Sequence, residues 1–138
     1  MNEVVNIQLK GLMSFEAEVD GHKIIIDTAK EFGGNNEGPK PKSLMMVALA
    51  GCTGMDVASI LRKMKVPFED LQIEVEGNLT DRHPKHFDKM CIIYKVKGKD
   101  ITIDKVKKAV ELSLANYCGV SYSYKKVMEI TYEIRINE

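Results

Sequence analysis

This 138-residue sequence carries no net charge. Twenty Lys and Arg stand against twenty Asp and Glu, so no global field argues for nucleic acid or an anionic membrane. There is no N-terminal basic-then-apolar run with a small-residue cleavage site, and the expectation is a cytoplasmic protein. There is also no apolar run long enough for a bilayer. No uncharged stretch exceeds 13 residues, and the one from Ser43 to Met55 is broken by Gly51 and Gly54, whereas a span needs about 20. Repeats, low-complexity tracts and Ser/Gly linkers are absent, which leaves one domain over residues 1–138. No Gly-rich phosphate loop follows a strand and opens a helix, and no nucleophile-elbow serine occurs.

Cysteine is scarce as well. Cys52, Cys91 and Cys118 are an odd number at wide spacing, in a chain long enough to bury a core without staples. In a reducing compartment such thiols stay reduced, and any disulfide among them is catalytic or sensory.

What is present reads as a globular domain, with 44% hydrophobic and 29% charged residues. Charge is unevenly spread: residues 81–126 hold eleven Lys/Arg against five Asp/Glu. That run is read as a solvated face.

Val5, Ile7 and Leu9 alternate with polar residues, as do Phe15, Ala17 and Val19, and both stretches predict strands. Asp20-Gly21 is a hairpin signal, and His22 to Asp27 is the return strand. Residues 29–41, rich in Gly, Asn and Pro, predict a loop. From about Pro41 to Met64 runs a helix apolar over much of its circumference, which predicts burial on all sides. Leu71, Ile73 and Val75 open a strand towards Leu79. Asp81 to Pro84 is a turn, and Met90, Ile92, Tyr94 and Val96 mark the next strand. A second helix is predicted from about Ile103 to Tyr117, with Val106, Ala109, Val110, Ser113 and Tyr117 on one face and Gly119 as its C′ terminator. Met128, Ile130, Tyr132, Ile134 and Ile136 face inward from a last strand. The order βββ-α-ββ-α-β groups strands together, so the class is α+β, with two central helices packed against antiparallel sheets.

Cys52 lies midway along the apolar helix beside Gly51, which costs about 1 kcal/mol relative to alanine in a helix interior. Either another element or a ligand approaches the missing side chain, or Cys52 is a small core hydrophobe and the glycine packs on a neighbouring helix. Cys118 is placed at the C-terminal end of the second helix, where the macrodipole works against a thiolate. It is a poor attacking nucleophile there, though it could serve as a resolving partner; plain packing is the other reading. Cys91, mid-strand, reads as structural. His83 and His86 are spaced H-x2-H without a second ligand pair, so no zinc site is expected. The eight methionines, among them Met45, Met46, Met55 and Met64, are core filler or the lining of a pliable pocket for an apolar ligand.

The run Gly38-Pro39-Lys40-Pro41-Lys42-Ser43-Leu44, leading to Leu49-Ala50-Gly51-Cys52-Thr53-Gly54-Met55-Asp56-Val57, resembles the cysteine-bearing central helix of the OsmC/Ohr family. Ser59 to Met64 and His83 to Lys89 are similar to its YhfA-type branch. Lys107 to Ser113 and Tyr117-Cys118-Gly119-Val120-Ser121 resemble the second-cysteine motif. The resemblance implies an α+β fold and an intertwined homodimer with active sites at the subunit interface. It implies a thiol peroxidase for organic hydroperoxides, with Cys52 as peroxidatic and Cys118 as resolving cysteine, and lipoyl or small dithiols as reductants. No metal, flavin or haem cofactor is implied, and neither nucleic acid nor membrane is a partner. Two other functions stay open: a non-enzymatic module binding an apolar ligand at the dimer interface, and a slow thiol redox sensor.

The family's thiolate-stabilising arginine precedes the cysteine helix, whereas the first arginine here is Arg62. Ser43 stands nine positions before the cysteine, where glutamate is usual. A buried thiol without a nearby cation is a sluggish nucleophile. Asp56, one turn after Cys52, would oppose its ionisation if it faces the same pocket.

Overall fold

The computed structural model describes all residues, 1–138. Six strands and three helices follow in the order β1 (Asn6–Leu9), β2 (Phe15–Val19), β3 (His22–Ile26), α1 (Pro41–Lys63), β4 (Asp70–Leu79), β5 (Phe87–Lys97), α2 (Ile103–Leu112), α3 (Gly119–Tyr124) and β6 (Glu129–Ile136). A 3-10 turn covers Lys30–Phe32, and a π-helical turn, Ser113–Tyr117, joins α2 to α3. The expected α+β order is therefore present, with α3 inserted before the last strand. By its internal contacts the chain divides into two compact units, Met1–Met45 and Met46–Glu138.

The first unit is an antiparallel meander, β1-β2-β3, in which Ala17 pairs with both Ile7 and Ile24. Asp20 and Gly21 turn the hairpin with φ of 52° and 80°, the two positive values a type I′ turn requires. The loop after β3 is organised by Asp27, whose side chain accepts the N–H groups of Thr28 at 2.7 Å, Asn35 at 3.2 Å and Glu37 at 3.1 Å. The alternation in β1 predicts a covered apolar face, yet Ile7 and Leu9 are 51% and 53% exposed. The strand pairs as expected, but within its own sheet those side chains stay open.

In the second unit β5 is the central strand, antiparallel to β4 and parallel to β6. This corrects the expectation of antiparallel sheets throughout. The chain leaves β5, crosses through α2 and α3 and enters β6 from the same end, and such a crossover gives parallel neighbours. Met90, Ile92, Tyr94 and Val96 are buried along one face of β5.

α1 also departs from its expectation. Only Leu49, Thr53, Val57 and Leu61 are buried along it, a single line at i, i+4 spacing. Val47 and Met55 stand 62% and 77% exposed. By length and composition alone the helix could cross a bilayer, but Thr53 and Asp56 at its centre are hydrogen-bonded to Tyr94 and Ser113, which ties it into the fold.

On α2 the predicted face is buried at Val106, Ala109, Val110 and Ser113. Tyr117, expected on that face, is exposed, and Cys118 is buried instead. The π turn is the reason. At 3.6 residues per turn a residue five positions on lies about 140° round the axis. The bond from Cys118 N–H to the Ser113 carbonyl closes a wider ring, so Cys118 comes over Ser113 and Tyr117 rotates outward.

Candidate functional site

Cys52 sits at the centre of α1, half-buried, one position before the fully buried Thr53. Cys118 and the backbone N–H of Val120 both lie near enough to bear on its thiol. The two cysteines named from the sequence are thus brought together; both are free thiols.

Cys118 closes the π-helical turn that continues α2, as expected, and it also starts a new helix. It is the N-cap of α3: its Sγ accepts the Ser121 N–H at 3.3 Å, and its carbonyl accepts the Ser121 hydroxyl at 3.0 Å. Gly119, read as a terminator, opens the new helix. The expected opposition of the preceding helix end is therefore met by an amide N–H of the new helix that points at the sulfur. The Ser121 amide bonds the Cys118 sulfur, and the preceding amide, of Val120, bears on Cys52.

Burial is the largest influence on Cys52 and pushes its thiol above the ordinary value; the Val120 N–H pulls the other way, and Cys118 and Asp56 add to the rise. Asp56 thus acts in the direction expected of it. No cation stands among these groups. Arg62 lies over the Phe68 ring, 5.4 Å from its centre.

Behind the thiols lies a buried polar chain that the sequence did not announce. Tyr94 Oη is 2.7 Å from Thr53 Oγ1, which is 2.7 Å from Ser113 Oγ, which in turn donates to Asp56 Oδ2 at 2.9 Å. Tyr94, Thr53 and Ser113 are each 0% exposed. Burial holds the Tyr94 phenol far above its ordinary value, so it acts as a neutral hydroxyl. The available signal was the pair of small polar residues, Thr53 and Ser113, on otherwise apolar helix faces. Outside the pair, a groove of about 280 Å³ is lined by Leu114, Tyr117, Cys118 and Tyr122 among others.

Cys91 lies apart. Alternation along β5 turns it to the sheet face opposite Tyr94, in a concavity of about 410 Å³ with Glu76, Lys89, Glu129 and Thr131. His83 and His86 lie on the exposed β4–β5 hairpin, with His86 Nδ1 2.7 Å from the Pro84 carbonyl.

This arrangement can be set beside known proteins. Protein YhfA of Escherichia coli strain K12 is 27% identical over 128 residues, covering 93% of this chain and 92% of its own. The crystal structure of a hypothetical protein from Aquifex aeolicus VF5 superposes with a TM-score of 0.83 at 26% identity, covering 100% and 99% of the two chains. The organic hydroperoxide resistance protein OhrB of Bacillus subtilis shares the fold, with a TM-score of 0.66 at 17% identity over 98% of each chain. Residues 34–133, bearing both cysteines and the polar chain behind them, match the OsmC-like protein family, and this chain belongs to it.

Proposed function

We propose that the protein is a two-cysteine peroxidase that reduces organic hydroperoxides. The observation that carries this reading is that the fold brings Cys118 near enough to Cys52 to act on its thiol. A free thiol beside another can displace a leaving group from its sulfur. Family membership and the fold shared with an organic hydroperoxide resistance protein support it.

The Cys52 thiolate attacks the distal peroxide oxygen, the O–O bond breaks, and the alkoxide leaves as the alcohol after taking a proton. Cys52 is then a sulfenic acid. The Cys118 sulfur attacks the Cys52 sulfur, water departs, and a Cys52–Cys118 disulfide forms. An external dithiol, small or lipoyl, returns two electrons by thiol–disulfide exchange. The Val120 N–H is the group on hand to stabilise the Cys52 thiolate where the family arginine is missing.

A second copy of the chain is the proposed partner. Val47, Gly51 and Met55 form a line along the open side of α1 at i, i+4 spacing, and a side chain at Gly51 would meet nothing within 4 Å. A homodimer packed over this line accounts for a glycine that no element of the chain itself approaches.

The raised titration of Cys52 favours a second reading, a slow thiol redox sensor. One experiment separates the two. The reduced protein is treated with one equivalent of tert-butyl hydroperoxide and followed by intact mass and peptide mapping, then supplied with dithiol and excess peroxide. The peroxidase loses two hydrogens rapidly at Cys52–Cys118, not in Cys52→Ser, and then turns over. A sensor forms the same disulfide slowly and does not turn over. Thiols no faster than a free small-molecule thiol overturn the peroxidase.

A further inference from the structure

Ser113 is fully buried and holds three neighbours. Its hydroxyl lies 2.7 Å from Thr53 Oγ1 and donates to Asp56 Oδ2 at 2.9 Å. Its backbone carbonyl accepts the Cys118 N–H at 2.8 Å. Thr53 and Asp56 follow Cys52 on α1 by one and four positions. One residue therefore grips, with its side chain, the turn that carries one thiol, and with its backbone the residue that carries the other.

Counting hydroxyl protons gives this grip a direction. A carboxylate only accepts, so the single Ser113 proton is committed to Asp56. Towards Thr53 the serine oxygen must then accept, which commits the Thr53 proton to Ser113. The Thr53 oxygen in turn accepts from Tyr94. The order runs Tyr94 to Thr53 to Ser113 to Asp56, with each hydroxyl donating once and no donor to spare. Alanine at 113 removes both links on α1, whereas threonine keeps the hydroxyl. The π turn fits the same scheme, because only the i→i−5 closure sets Cys118 over Ser113, inward towards α1, in place of Tyr117.

We propose that Ser113 is the positioning residue for the resolving step, seating Cys118 against Cys52 by tying the π turn to the Thr53–Asp56 segment of α1. This rests on the two-cysteine reading above. Ser113 touches no reacting atom; it holds the Cys118 sulfur where it can displace a leaving group from the Cys52 sulfur.

The test needs no peroxide. Full-length protein in a Cys91→Ser background is mixed with the aromatic disulfide DTNB. The Cys52 thiolate attacks one reagent sulfur, expels one thionitrobenzoate and becomes a mixed disulfide. The Cys118 thiolate then attacks the Cys52 sulfur, expels the second thionitrobenzoate and leaves a Cys52–Cys118 disulfide. The protein gives up two thiol protons and two electrons, and the electrons reduce the reagent's S–S bond. Intact mass and a peptide map locate the mixed disulfide.

Ser113→Ala should leave the first release within about twofold and slow the second by about tenfold or more, since a misplacement of about 1 Å can cost about a hundredfold. The mixed disulfide at Cys52 then accumulates, and Ser113→Thr restores the second release. An unchanged second release, or equal slowing of both, overturns the proposal. If Ser113→Ala does not fold, Thr53→Val takes its place: the second release slows while the first holds, and no slowing overturns the proposal. A parent protein inert to tert-butyl hydroperoxide that still shows both releases overturns the peroxidase reading and leaves the role of Ser113 standing.

Discussion

Thr53 and Tyr94 share a 2.7 Å hydrogen bond between side chains that are both fully buried. Because Tyr94 is the donor end of the chain, removing its hydroxyl leaves only an acceptor unfilled, whereas removing the Thr53 hydroxyl strands a donor on one side and an acceptor on the other. Tyr94→Phe should cost about 1 kcal/mol, and Thr53→Val should cost more, about 1–3 kcal/mol for each stranded group. Urea unfolding of the two variants checks the order, and a costlier Tyr94→Phe would contradict the proton count.

Asp56 raises the titration of the Cys52 thiol, after burial and Cys118. A thiol above its ordinary value is mostly protonated at neutral pH, so its alkylation rate should climb through the alkaline range without levelling near pH 8. Asp56→Asn keeps an acceptor for Ser113 and removes the charge. It should shift the Cys52 rate profile to lower pH and raise the rate at pH 7.5, read by peptide-resolved iodoacetamide labelling. A profile unmoved by the substitution would show that the carboxylate does not act on the thiol.

The Asp27 carboxyl is held below its ordinary value of 3.8 by the backbone N–H groups of Glu37, Thr28 and Asn35. A carboxyl lowered in the folded state contributes stability that is present above the unfolded value and lost as pH falls through the folded one. Asp27→Asn should therefore lower Tm at pH 7, and the gap to the parent protein should narrow on acidification below pH 4. A gap of constant size between pH 7 and pH 3 would mean that the loop does not depend on the ionised form.

The open line Val47, Gly51 and Met55 on α1 predicts where two copies meet. Met55→Asp and Gly51→Leu should each convert a dimer into a monomer in sedimentation velocity at micromolar concentration, the first by charge and the second by filling the notch. If both variants sediment as the parent does, that side of α1 is not the interface.

Much of the fold was legible from short-range pattern. Alternation marked β2 at Phe15–Val19 and the buried row Met90, Ile92, Tyr94 and Val96. The 3.6-residue period marked Val106, Ala109, Val110 and Ser113. These hold because a side chain's direction follows from the backbone geometry of its immediate neighbours. Cys52 and Cys118 were likewise legible as the pair to watch. Their nearness was not, since it joins a helix centre to a helix start far along the chain.

Where expectation failed, a distant group had intervened. The period places Tyr117 on the inner face of α2, but Ser113 is bonded to Thr53 and Asp56 on α1, and the helix there takes the wider π closure that carries Cys118 inward. Gly119 carries a terminator's chemistry, yet the chain turns straight into α3, so the Cys118 sulfur meets an amide N–H of the new helix. Composition says that α1 avoids water, but not which of its sides this chain covers. Local backbone preferences thus determine where each element lies and which residues share its face. The nearness of the thiols, the direction of the hydroxyl chain and the side of α1 left open depend on packing between remote segments, whose free energy no local pattern encodes.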